Sequence, residues 1–147
     1  MKPVQLEHTI YQGATFDEGN VYGTVPYPVR VECGQLVRRD TGEPVPASDI
    51  VPRDFTGCSA RMQLRREVGS PEALESFTSD DGSIAFDGAG GVFFNLDAAR
   101  TAAMKYGNDE RAKQWTTAIG HLEVVHPNGK VERLAEIAWT LSPEATR

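Results

Sequence analysis

Cys58-Ser59-Ala60-Arg61-Met62-Gln63-Leu64-Arg65 alternates apolar and polar side chains at every step. Side chains on a strand point to opposite faces with a period of two. The stretch therefore predicts a half-buried β-strand. Cys58, Ala60, Met62 and Leu64 face a core, and Ser59, Arg61, Gln63 and Arg65 face water or a partner. The same alternation recurs on both sides of it. Val4, Leu6, His8 and Ile10 alternate with polar residues, as do Val29, Val31 and Cys33. Ile84 with Phe86, and Val92 with Phe94 and Leu96, predict two short strands. Residues 116–126 place Ala118, Leu122 and Val124 on one face with Gly120 between them, and Ala135, Ile137, Trp139 and Leu141 close the series.

The punctuation between these runs predicts turns. Asp81-Gly82 separates Phe77 from Ile84, Gly88, Gly90 and Gly91 join the next two strands, and Asn128-Gly129 sits between the last two. Asn-Gly predicts a type I′ hairpin turn, whose twist matches that of paired strands. One short helix is expected after Asp97, over Ala98, Ala99, Ala102, Ala103 and Met104, ending near Gly107. Residues 107–114 are polar and read as a loop. The expected fold class is mostly β: an immunoglobulin-like β-sandwich of about seven or eight strands with one short helix. Trp115 and Trp139 are assigned to its core. Residues 29–147 form the sandwich domain in this reading, and residues 1–28 an extended N-terminal segment or arm.

The chain has 147 residues with 15 Lys+Arg and 21 Asp+Glu, a net charge of −6. That length suits one domain. The acidic balance argues against a general nucleic-acid binder, which needs basic surface to release counterions. No apolar run approaches the ~20 residues of a membrane-spanning helix, and Met1–Ile10 has no signal-peptide core. Five prolines between residues 26 and 52 predict a loop-rich region, because proline removes a backbone donor. Cys33 and Cys58 fall on apolar phases and read as buried free thiols, which a disulfide would join only if their strands are neighbours.

The search for chemistry predicts no catalytic, cofactor or metal site. No CxxC motif exists, the acidic pattern of a calcium loop is absent, and the glycines at 88–91 lead into no phosphate-binding helix. His8, His121 and His126 read as surface histidines. His121 shares a face with Glu123, but nothing supplies a nucleophile of fixed geometry. The remaining signals are for binding. Tyr11, Phe16, Tyr22 and Tyr27 stand in a Gly- and Pro-rich segment and suit interface anchoring. Arg61, Arg65 and Arg66 form the one local basic cluster and are expected to be a polar docking face.

Several blocks together resemble a family. Tyr11-Gln12-Gly13-Ala14-Thr15-Phe16, Phe55–Arg65, Ser79–Ile84 and Gly91–Leu96 occur in the order seen in small tailed-phage virion proteins. A short helix with Thr101, Leu122-Glu123-Val124, the Asn-Gly pair and Leu141-Ser142-Pro143-Glu144-Ala145-Thr146-Arg147 follow. The group is similar to the N-terminal immunoglobulin-like domain of siphophage baseplate upper proteins, which anchors receptor-binding fibres. The resemblance implies a non-enzymatic adaptor of the tail, baseplate or head–tail region, in the virion. It implies multiple symmetric copies docked on a larger ring beside other virion proteins. No stalk follows Arg147, which turns the expectation from fibre holder to adaptor. The alternatives are a head decoration or collar protein of the same fold, and a carbohydrate- or receptor-binding module.

Overall fold

The structure is a computed structural model that describes residues 3–104 and 116–144. The expected loop over 107–114 and Trp115 lie outside the described residues. The chain is mostly β. A five-stranded sheet contains β1 (Val4–Tyr11), β7 (Ser59–Arg65), β8 (Glu75–Thr78), β11 (Thr116–Val125) and β12 (Val131–Ser142), in the order β1-β12-β11-β7-β8. A three-stranded sheet runs β2-β10-β9, from β2 (Phe16–Val21), β10 (Gly91–Leu96) and β9 (Ile84–Phe86). Between them in sequence, β3 (Gly23–Thr24) pairs with β6 (Val51–Pro52), and β4 (Val29–Glu32) pairs with β5 (Gln35–Arg38). All these pairs are antiparallel except β1 with β12, which runs parallel from Val4↔Ala135 to Tyr11↔Ser142.

The inner faces of the two larger sheets meet at aromatic rings. Trp139 of β12 lies 5.4 Å from Phe16 and 6.0 Å from Phe94, both in the three-stranded sheet, and 5.6 Å from Phe77 of β8. Around them Ile10, Met62, Leu64, Leu122, Ile137 and Leu141 are fully buried. Each such side chain contributes about 1.5–3 kcal/mol by leaving water. The alternation read from 58–65 is the burial pattern of β7, where Ala60, Met62 and Leu64 are buried and Ser59, Arg61 and Gln63 exposed. The helix α1 (Ala98–Ala103) begins at Asp97, whose side chain accepts from the Arg100 backbone N–H at 2.8 Å and satisfies one orphan donor of the first turn.

Four expectations are corrected. Residues 4–24 are not a separate arm. β1 joins the five-stranded sheet and β2 the three-stranded one, because Ile10 and Phe16 both bury their side chains between the sheets. Secondly, Asp81-Gly82 does not close a hairpin. β8 and β9 belong to different sheets, so this turn carries the chain across the core. Thirdly, Asn128-Gly129 is not a type I′ turn, since Asn128 has no positive φ. The Gly129 N–H donates to the His126 carbonyl at 2.9 Å, with Gly129 at φ 87°. Pro127 sits at the second turn position, where its fixed φ favours a type I turn followed by a left-handed residue. Lastly, Cys33 is exposed rather than buried, and it pairs with no other cysteine. It has φ 51° and Gly34 has φ 75°, between the paired residues Glu32 and Gln35. Two central residues of positive φ are the type I′ geometry, found here instead of at Asn128-Gly129.

Candidate functional site, the outer face of the five-stranded sheet

Side chains at alternate positions of β1, β12, β11 and β7 share the outer face. Cross-strand register fixes the rows. Thr9, Thr140 and Thr117 stand side by side across three strands. In the next row Glu7, Ala138, Ile119 and Arg65 follow across four. Beyond these come Gln5, Glu136 and His121, and then the pair Glu123 and Arg61. The middle of the face is therefore uncharged, with three threonines, Ala138 and Ile119. Such small or β-branched side chains leave a flat surface.

Two shallow depressions mark this face. One, of about 510 Å³, is bordered by Arg61, Gln63, Arg65, Ser76, Thr78 and His121. The other, of about 630 Å³, is bordered by Glu7, Thr9, Tyr11, Thr117, Ala138 and Thr140. Ile119 lines both and is 37% exposed, so the two depressions adjoin there.

Several charges on this face are paired within the chain. Arg61 donates to Glu123 at 3.0 Å. Arg65 donates to the Ser70 carbonyl at 2.9 Å and to Gln63. Gln5 and Arg133 both donate to Glu136 and hold its carboxyl below the usual range, with His121 3.7 Å away. Exposed pairs of this kind contribute little stability.

The seven expected partner residues divide between three places. Tyr11, Arg61, Arg65 and Arg66 border the two depressions of the outer face, Arg61 and Arg65 the first and Tyr11, 58% exposed, with Arg66 the second. Phe16 and Tyr22 are in the core at 5% and 8% exposure, so as surface anchors they are corrected. Phe16 packs on Trp139, and burial pushes the Tyr22 hydroxyl up to about 12. Tyr27 sits apart, in the segment between β3 and β6. Its hydroxyl donates to Asp49 at 2.6 Å, and the Arg38 guanidinium lies 4.1 Å from the centre of its ring. Sequence reasoning missed Thr9, Thr117, Ile119, Ala138 and Thr140. Each stands at an alternate position of a strand that the alternation had found, but the sequence does not say which strands are neighbours.

The histidine expectation is corrected at His8. Its side chain is 9% exposed, with ring contacts to Phe16, Phe94 and Trp139, and its Nδ1 lies 2.7 Å from Glu18. Among the described residues no group of three His, Cys, Asp or Glu side chains could hold a metal ion.

A second cluster lies where residues distant in sequence meet at one corner. Gln12 is buried, takes the Glu144 backbone N–H on its Oε1 at 2.9 Å and donates from Nε2 to the Ala102 carbonyl. The Thr101 hydroxyl, fully buried, donates to the Ala14 carbonyl at 2.8 Å. No family model matches this chain, and no curated protein matches it at a significant level.

Proposed function

We propose that the protein is a structural, non-enzymatic component of a tailed-phage virion, an adaptor of the tail, baseplate or head–tail region. In this reading the outer face of the five-stranded sheet docks in symmetric copies against a larger ring of other virion proteins. The observation that carries it is the composition of that face: an uncharged centre of Thr9, Thr117, Ile119, Ala138 and Thr140, with Tyr11 and Arg66 at one depression and Arg61 and Arg65 at the other. A centre without charged side chains inside a polar, charged rim is the anatomy of protein–protein interfaces. The corner of Gln12, Ala14, Thr101 and Glu144 adds support. Three of the separated blocks that resemble the virion family are joined there by hydrogen bonds.

We propose also that the sandwich is immunoglobulin-like. The parallel pairing of the first and last described strands, and the passage of the chain from one sheet to the other between β1 and β2, support that topology.

The test is mass spectrometry of gradient-purified particles from a host producing the phage that encodes this chain. The chain is expected in intact particles at a fixed ratio to the major tail or capsid protein. Ile119→Arg is expected to remove it from particles while its melting temperature in isolation stays close to that of the parent. Particles that lack the unaltered chain would sink the proposal. A head decoration or collar role would show in the same experiment, as co-purification with tail-less heads.

One observation favours a second reading, a carbohydrate-binding module. Tyr11 borders a depression together with three threonine hydroxyls and Glu7. Aromatic rings beside hydrogen-bonding groups suit sugar faces. Glycan-array binding that is lost in Tyr11→Ala would support this reading over the adaptor.

A further inference from the structure

Away from that face, four side chains form a chain of contacts where the turn after β11 meets the start of β7. Cys58 Sγ lies 3.5 Å from His126 Nδ1. His126 Nε2 lies 3.1 Å from Glu132 Oε1. Arg53 grips the same carboxylate with both terminal nitrogens, at 2.9 and 2.7 Å. The side chains of Arg53, Glu132 and His126 are only 17–22% exposed, and Cys58 is half-buried. Backbone bonds hold both reacting partners in place. The Cys58 N–H donates to the Phe55 carbonyl and the His126 N–H to the Lys130 carbonyl. The two turns press together so closely that a Cβ on Gly57 would come within 2.9 Å of Pro127.

The order of partners fixes the imidazole. An ionised carboxylate only accepts, so His126 must present its Nε2–H to Glu132. That leaves the Nδ1 lone pair facing the Cys58 S–H, which is the tautomer a proton acceptor for the thiol requires. Glu132 remains ionised because the Arg53 fork and His126 bring its carboxyl down to about 2. Burial, with Asp54 beside it, pushes the Cys58 thiol up. The free thiolate is therefore scarcer than at an ordinary cysteine, and a base that takes the proton as the sulfur attacks offsets that scarcity.

We propose that Cys58 is a base-assisted nucleophile and a modification site for low-molecular-weight disulfides. In the step, Cys58 Sγ attacks one sulfur of the disulfide. A Cys58–sulfur bond forms and the reagent's S–S bond breaks. The thiol proton passes to His126 Nδ1, and the departing thiolate leaves with the electron pair. The Cys58 sulfur is oxidised by one formal unit and the departing sulfur reduced by one, so the exchange needs no other oxidant.

Cys33 supplies an internal reference, because it is exposed at a hairpin tip. The full chain would be treated with 4,4′-dithiodipyridine, and modification at each cysteine followed by peptide mass mapping. His126→Gln is expected to slow Cys58 at pH 7 by about tenfold or more, and to leave Cys33 unchanged to within about twofold. The pH profile of the unaltered chain keeps the proposal open to refutation if that variant does not fold. Over the pH range in which His126 is neutral and the thiol protonated, base-assisted attack leaves the Cys58 rate nearly flat, whereas unassisted thiolate attack climbs about tenfold per pH unit. An unchanged Cys58 rate in His126→Gln, the tenfold climb, or modification of Cys33 alone would each overturn the proposal.

Discussion

Arg53 and Glu132 form the most buried of the described ion pairs between two fully ionised groups, and they reach across 79 residues of sequence. Arg53 also lies 5.2 Å over the Phe55 ring. Replacing Arg53 by Met keeps much of the apolar stem but leaves the carboxylate without its fork. We expect a loss of about 2 kcal/mol at pH 7, the cost of stranding a half-buried charge. The sign of its pH dependence follows from Glu132. Its carboxyl falls from an ordinary 4.5 to about 2 in the fold. The pair's contribution is thus fully present above 4.5 and is lost as pH falls towards 2. Urea midpoints of the two proteins should converge over that window, and a gap as wide at pH 3 as at pH 7 would refute the assignment. Neither this pair nor the Cys58–His126 contact was legible in the sequence. Both depend on a turn that brings residue 126 beside residue 58, and periodicity carries no distance between strands. His8 was half legible. The alternation put it with Leu6 and Ile10 on the apolar phase, but its chemistry suggested water, and packing against Phe16, Phe94 and Trp139 prevailed.

At the scale of elements, strands read well and turns read poorly. β7, β9, β10, β11 and β12 follow the alternation of their sequences, because one face of each is buried and register errors would expose it. Turn type depends on neighbours that the Asn-Gly rule ignores. Pro127 displaced the expected geometry from Asn128-Gly129, while Cys33-Gly34 adopts it without the usual asparagine. A cysteine in the left-handed region is strained, and asparagine tolerates that region better. Cys33→Asn should therefore stabilise the protein by about 0.5–1 kcal/mol. A denaturation midpoint that falls instead would show that the hairpin tip is held by something other than its backbone preference. β1 was found by alternation and β2 was not, and both fell in the segment assigned to an arm, since Tyr, Phe, Gly and Pro in one segment suit an interface as well as a core. Phe16 and Tyr22 went to the core because β2 pairs with β10 along its whole length.

On the scale of the molecule, the proline-rich stretch is an excursion with a closed neck. Residues 25–50 leave the fold at β3 and return at β6, where Thr24 pairs with Val51. Val37 is the only buried residue within them, and it does not belong to the main core cluster. The sandwich should not need them. Joining Thr24 to Val51 through Asn-Gly is expected to leave one cooperative thermal transition, shifted by about 5 °C or less, since loop length has a weak effect on closure entropy. A broad or absent transition would mean that the excursion helps hold the sheets together. The parallel pairing of β1 and β12 has a mechanical consequence. A pull on the start of β1 and the end of β12 acts at opposite ends of one ladder of eight residue pairs. The load then runs along the strands and strains all their bonds together, whereas an antiparallel hairpin pulled from its open end yields one bond at a time. Stretched between those two points in a single-molecule experiment, the protein should resist with one high rupture force, and a low, stepwise extension would exclude such shear loading. A part built this way can carry tension along its length.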